Sequence, residues 1–166
     1  MDTYLTIASK RDRDTDDADP RPIPDEVVER ILDAGRLSGS ASNKQPWRFL
    51  IVDDAEKRER LADAVYEPGN VRGATLVVAI AGARPFDLGR CAQNMMLAAW
   101  NEGVSSTPNG VEDKDAAAEI LGLEEAPVTV LTFGYPAKHP GAESRTAEDW
   151  SGRANRRPVA ESVERL

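Results

Sequence analysis

The sequence predicts helices layered around a small mixed sheet, and three observations lead to that fold class. Apolar residues recur at helical spacing in two long stretches. Three short runs rich in Val, Ile and Leu are continuous rather than periodic, as buried strands are. Helical and extended segments follow one another in the order helix, strand, helix, strand, helix, helix, strand, which a layered arrangement accommodates. At 166 residues the chain suits one domain, residues 1–166, large enough to bury a sizeable core.

Residues 1–22 are polar, with Asp12, Asp14, Asp16, Asp17 and Asp19 close together. Such a run reads as a solvated, mobile segment, although Lys10, Arg11 and Arg13 form a basic cluster inside it. Ile23-Pro24-Asp25-Glu26 then opens a helix, because proline suits a first turn and acids favour the positive helix end. Val27, Val28, Ile31 and Leu32 give that helix an apolar face, and it should run to about Leu37. Ser38 to Asn43 is loop-like, Phe49 to Val52 is a short buried strand, and Asp53-Asp54 starts a charged helix reaching about Val65.

Glu67-Pro68-Gly69-Asn70 reads as a break in the chain. Thr75 to Ala81 is apolar throughout and too short for a typical helix, so it is expected as a central strand covered on both faces. Leu88, Cys91, Ala92, Met95, Met96 and Ala99 trace a helical stripe from Asp87 to about Asn101. Beyond it the sequence predicts a loop from Gly103 to Gly110, a short helix over Asp115–Leu121 and a strand over Val128–Phe133. Residues 137–166 are rich in proline, glycine and charge and read as a C-terminal arm.

Composition narrows the function. The net charge of -8 disfavours a nucleic-acid or anionic-membrane binder, since an acidic surface repels phosphate, and any anionic ligand needs a local basic pocket. The lone cysteine, Cys91, rules out an internal disulfide and reads as a small buried hydrophobe, with a reducing compartment, the cytoplasm, as the expected location. No apolar run approaches the ~20 residues of a membrane span. The only histidine, His139, has no companion ligands, so neither a metal centre nor a histidine-based triad is expected. A dinucleotide-binding glycine fingerprint and a P-loop are both missing.

The densest polar constellation is Ser40-Ala41-Ser42-Asn43-Lys44-Gln45-Pro46-Trp47-Arg48-Phe49, a loop joining helix to strand. Two readings of it stand: a hydrogen-bonded turn, or a set of carboxamides able to meet the alternating donors and acceptors of a heterocycle's edge. Ser40-x-x-Asn43-x-Gln45-Pro46-Trp47 resembles the flavin-contacting motif of the nitroreductase family. The resemblance runs in order along almost the whole chain. Arg11 and Arg13 precede a proline-initiated helix; Asp87-x-Gly89-x-x-x-Gln93-Asn94 opens a long central helix; Thr107-Pro108-Asn109-Gly110 is similar to a family turn. Gly134-Tyr135-Pro136 is followed by Arg153, Asn155, Arg156 and Arg157.

This resemblance implies an α+β fold, an α/β sandwich whose mixed, mostly antiparallel central sheet is flanked by helices, acting as a homodimer with FMN between the subunits. It implies that Arg11, Arg13, Arg156 and Arg157 hold the FMN phosphate, and that Ser40, Asn43 and Gln45 grip the ring. Asn109 and Gly110 would approach the flavin through backbone N–H groups, and Asn70 is similar in place to a further contact. The flavin would then carry the chemistry without a catalytic side chain, taking hydride from NADH or NADPH and passing electrons to a small electron-poor acceptor such as a nitroaromatic or quinone. Lys44 or Arg48 would add positive charge near the ring. A non-catalytic flavin-binding or interaction module is the alternative. No nucleic-acid, membrane or metal partner is expected.

Overall fold

The computed structural model describes residues 2–12, 14–15 and 18–165. Arg11–His139 forms one compact unit, and the two ends of the chain, up to Lys10 and from Pro140 onward, form another.

The larger unit is built on four strands: β1 (Arg48–Ile51), β2 (Leu76–Ala81), β3 (Ser105–Gly110) and β4 (Thr129–Gly134). Their order is β1-β2-β4-β3, and every neighbouring pair is antiparallel. The parallel pairing recorded among the described residues is a single bridge between Asp12 and Ser106. β2 lies between β1 and β4 and is buried at all six positions, which is why its sequence is apolar without alternation.

Alternate side chains of these strands feed two cores. Leu76, Val78, Ile80, Leu131 and Phe133 pack with Ile31, Cys91, Met95 and Ala99, which belong to helices α2 (Asp25–Arg36) and α5 (Pro85–Asn101). Val77, Ala79 and Val130 face the other way, onto Leu61 of α3 (Ala55–Asp63), Val71 of α4 (Pro68–Gly73) and Ile120 of α6 (Lys114–Leu121). Each fully buried aliphatic side chain here contributes about 1.5–3 kcal/mol relative to exposure. α2 and α5 approach closely at Gly35, where an added Cβ would lie 2.8 Å from Met95 Cγ and 2.9 Å from Phe49 Cζ.

Three expectations from the sequence are corrected. The polar N-terminus is not wholly irregular: Thr3–Ser9 forms α1, whose first turn is capped by the Asp2 carboxylate accepting from Tyr4 N–H at 3.1 Å. The break at Glu67–Asn70 is the start of α4, with Pro68 in its first turn, where the missing N–H costs nothing. The expected loop 103–110 is largely strand β3, and Pro108 sits within it opposite Leu131. An edge strand tolerates proline because one side of its ladder needs no donor.

In the smaller unit α1 packs against α7 (Ala147–Arg153). Thr146 and Asp149 form a capping box at the start of α7, and the buried Trp150 indole donates to Ala142 O at 2.8 Å. No helix is long and apolar enough to cross a membrane among the described residues.

Candidate functional site

The loop between α2 and β1 departs from ordinary backbone. Ser42, Asn43 and Gln45 have φ of 52°, 53° and 48°, three of the four non-glycine residues recorded in the left-handed region. Such a conformation costs an L-residue about 1–3 kcal/mol and persists where the surroundings over-determine it. Part of that determination is local: Ser40 Oγ accepts Gln45 N–H at 2.8 Å, closing the loop on itself. At its far end, the Pro46 carbonyl lies where a Cβ on Gly82 would sit, and Gly82 itself has a φ of 84°. Trp47 is buried in the core directly after. Asn43 and Gln45 remain exposed, Gln45 Nε2 reaching Asn43 O only at 3.4 Å. A loop closed on itself therefore offers two exposed carboxamides, each able to donate and accept.

A groove of about 420 Å³ opens at the same end of the sheet, and Gly82, Arg84, Leu88 and Val128 are among its lining residues. Phe86 and Val128 are exposed, at 76% and 59%. That volume lies in the range of small-molecule sites.

Asn109 is differently placed from a ligand-facing residue. It is buried, its Oδ1 accepts from Asn70 Nδ2 at 2.9 Å, and its Nδ2 donates to Val130 O and Thr132 Oγ1, both at 3.0 Å. Asn70 Oδ1 in turn accepts Thr15 N–H at 2.7 Å, and Thr15 Oγ1 donates to Asn70 O at 2.6 Å. Both carboxamides are thus committed inside the protein, tying the N-terminal segment to α4 and to the sheet. Gly110, at the end of β3, is exposed, and its carbonyl accepts Tyr66 N–H.

Arg11 is half-buried and stands next to Asp12, which runs parallel to β3 at Ser106. Arg13 lies outside the described residues. Arg156 and Arg157 belong to the smaller unit, where both are exposed just beyond α7, and Arg156 N–H donates to Ser151 O. The structure gathers Ser40, Asn43 and Gln45 in one loop. Arg11 and Asn109 fall on the opposite edge of the sheet, at β3. Sequence reading missed Ser105 and Ser106, whose hydroxyls are buried without a hydrogen-bond partner among the described residues; a pair of serines shortly after Gly103 carries no signal of that. Cys91 is buried and its thiol is pushed up to about 11 by desolvation, so it stays protonated at neutral pH. Among the described residues no group of three or more His, Cys, Asp or Glu is arranged to hold a metal ion.

An antiparallel four-stranded sheet between two helical layers, entered through a loop of hydroxyls and carboxamides, defines an α+β sandwich of the nitroreductase type. The family model described as "Nitroreductase family" matches residues 17–85 and 79–135, and the chain belongs to that family. A protein of Archaeoglobus fulgidus, provisionally named NADH dehydrogenase/NAD(P)H nitroreductase, is 31% identical over 132 residues, 70% of this chain and 76% of that one. A nitroreductase family protein of Clostridium difficile 630 shares the fold with a TM-score of 0.79 at 23% identity, covering 99% of this chain and 98% of its own. A Desulfovibrio desulfuricans protein, solved in complex with FMN under a provisional nitroreductase name, superposes with a TM-score of 0.75 at 25% identity, over 100% and 98% of the two chains.

Proposed function

We propose that the protein is an FMN-dependent oxidoreductase that passes reducing equivalents from NADH or NADPH to a small electron-poor acceptor, such as a nitroaromatic or quinone. The observation that carries this reading is the loop at 40–45, where three left-handed residues sit beside a buried tryptophan and two of them present exposed carboxamides. The FMN-bound relative and the nicotinamide in the Archaeoglobus protein's name favour the same chemistry.

Asn43 and Gln45 would hydrogen-bond the ring edge, with Ser40 holding the loop closed behind them. Arg11 and Arg13, together with Arg156 and Arg157, would bind the phosphate; guanidinium groups suit it because they stay charged and meet its oxygens in pairs. Asn109 and Gly110 would contribute through backbone only, since the Asn109 side chain is already engaged. Lys44 or Arg48 would add positive charge beside the ring. When bound, FMN would supply the hydride-accepting and electron-donating centre, so no side chain of this chain need act as acid or base. The groove beside Gly82 would receive the second substrate.

The working unit in this reading is a homodimer in the cytoplasm, with residues 1–166 acting as one nitroreductase-like domain and the arm from 137 reaching the partner. Sheet order supports the dimer. Loop 40–45 enters β1 on one edge, whereas Arg11 stands outside β3 on the other, about 19 Å away at usual strand spacing. A second copy could bring its own loop to the arginine corner of the first.

The test is optical. Purified protein should carry or take up FMN, absorb blue light, and lose that absorbance on anaerobic mixing with NADH or NADPH. A protein that stays colourless with added FMN rules out the proposal, and a yellow protein that neither nucleotide bleaches is a flavin-binding module.

A further inference from the structure

We propose that Asp87 and Asn94, on one face of α5, are positioning residues that hold the loop at 38–45 in its flavin-gripping shape. The inference rests on the FMN reading above.

Residues 87, 90 and 94 fall on one side of a helix, three and four positions apart. Each meets the loop in turn, running backwards along it. Asn94 Nδ2 donates to Ser38 Oγ at 2.8 Å, and that hydroxyl donates to Ala34 O at 3.3 Å. The Arg90 guanidinium occupies the place where a Cβ on Gly39 would sit. Asp87 Oδ2 accepts Ala41 N–H at 3.2 Å, and its Oδ1 is 3.7 Å from Arg90 Nη1.

The loop is therefore gripped at 38, 39 and 41, and its left-handed run begins at the very next residue, Ser42. Strain of that kind relaxes unless contacts outside the loop oppose it. Ser40 and Gln45 supply one closure, but it lies within the loop and cannot fix the loop's orientation on the sheet. The α5 contacts can, because α5 is packed into the core through Cys91, Met95 and Ala99. Asp87 sits in the first turn of its helix, yet its carboxylate reaches a backbone N–H 46 residues away. Were it there only to complement the positive helix end, any exposed direction would serve.

The test compares FMN with riboflavin, which has the same ring and no phosphate, on wild type, Asp87→Ala, Asp87→Asn and Asn94→Ala. Dissociation constants are read by fluorescence quenching well below each variant's melting temperature. Asp87→Ala should weaken both ligands by the same factor, roughly tenfold, as expected for one lost hydrogen bond plus a loosened loop. Asn94→Ala should shift both in the same direction. Asp87→Asn keeps an acceptor for Ala41 N–H and should stay within about threefold of wild type, a smaller loss than one full hydrogen bond.

Unchanged affinity for both ligands in Asp87→Ala and Asn94→Ala, with only the melting temperature lowered, would make the contacts merely structural and overturn the proposal. A loss confined to FMN, or an Asp87→Asn as weak as Asp87→Ala, would also overturn it. Should Asp87→Ala not fold, Asn94→Ala decides alone, its change lying at an exposed helical position. Wild type that binds neither flavin refutes the underlying reading instead, a result distinct from all of these.

Discussion

At the scale of single residues, Asn109 shows how a residue in a motif can serve the fold with its side chain and leave only its backbone for a ligand. Its carboxamide is saturated by Asn70, Val130 and Thr132, all inside the protein. Replacing it with leucine would leave the buried Asn70 Nδ2 donor without its acceptor and take a donor away from Val130 O and Thr132 Oγ1, and a buried polar group left orphaned costs about 1–3 kcal/mol. Asn109→Leu should therefore lower the denaturant midpoint by an amount equivalent to about 2–4 kcal/mol with an unchanged slope. A midpoint within error of wild type would mean that the network is dispensable. None of this was legible in the sequence, because the partners stand 39, 21 and 23 residues away and a Pro-Asn-Gly string signals only a turn. The loop at 40–45 was legible by composition, since hydroxyls and carboxamides crowd it. Its three left-handed residues were not, because glycine, the usual marker of that conformation, occupies none of those positions.

At the scale of elements, the sequence reports what is periodic and conceals what is polar. α2 was read to within two residues because Val27, Val28, Ile31 and Leu32 face one core, and β2 because both of its faces are covered. β3 escaped: its side chains are serine, threonine, proline and asparagine, which read as a solvated loop, but its backbone pairs with β4 and Ser105, Ser106 and Asn109 are buried. α2 and α5 pack closely at Gly35. Gly35→Ala would drive a methyl group against Met95, which can move, and against Phe49, which is held between helix and sheet. Overpacking of this sort costs about 1–3 kcal/mol. The thermal midpoint of Gly35→Ala should fall by several degrees, whereas Gly89→Ala, with nothing within 4 Å of the added atom, should leave it unchanged or slightly raised. Equal midpoints for the two variants would contradict the packing described.

At the scale of the whole molecule, the question is whether one chain or two complete the flavin site. The loop that would hold the ring and the arginine that would hold the phosphate lie on opposite edges of one sheet, β1 and β3. If both served the same flavin within one subunit, two damaged chains could never repair each other. If the loop of one copy serves the arginine corner of another, they can. The decisive measurement mixes two variants: Asn43→Ala with Gln45→Ala, which would lose the proposed ring contacts, and Arg11→Gln with Arg13→Gln, which would lose the proposed phosphate contacts. Each alone should purify as a dimer depleted of FMN. Unfolded together and refolded, or co-expressed, half of the dimers are heterodimers, and in each of these one site combines both lesions while the other is intact. Flavin content and NADH-dependent bleaching should then return, to about one FMN per heterodimer. Recovery would require that each site borrow from its neighbour. A mixture no better than its parents, with heterodimers verified by mass, would instead put the loop and the arginines of a single chain at the same flavin, and the sheet order argues against that.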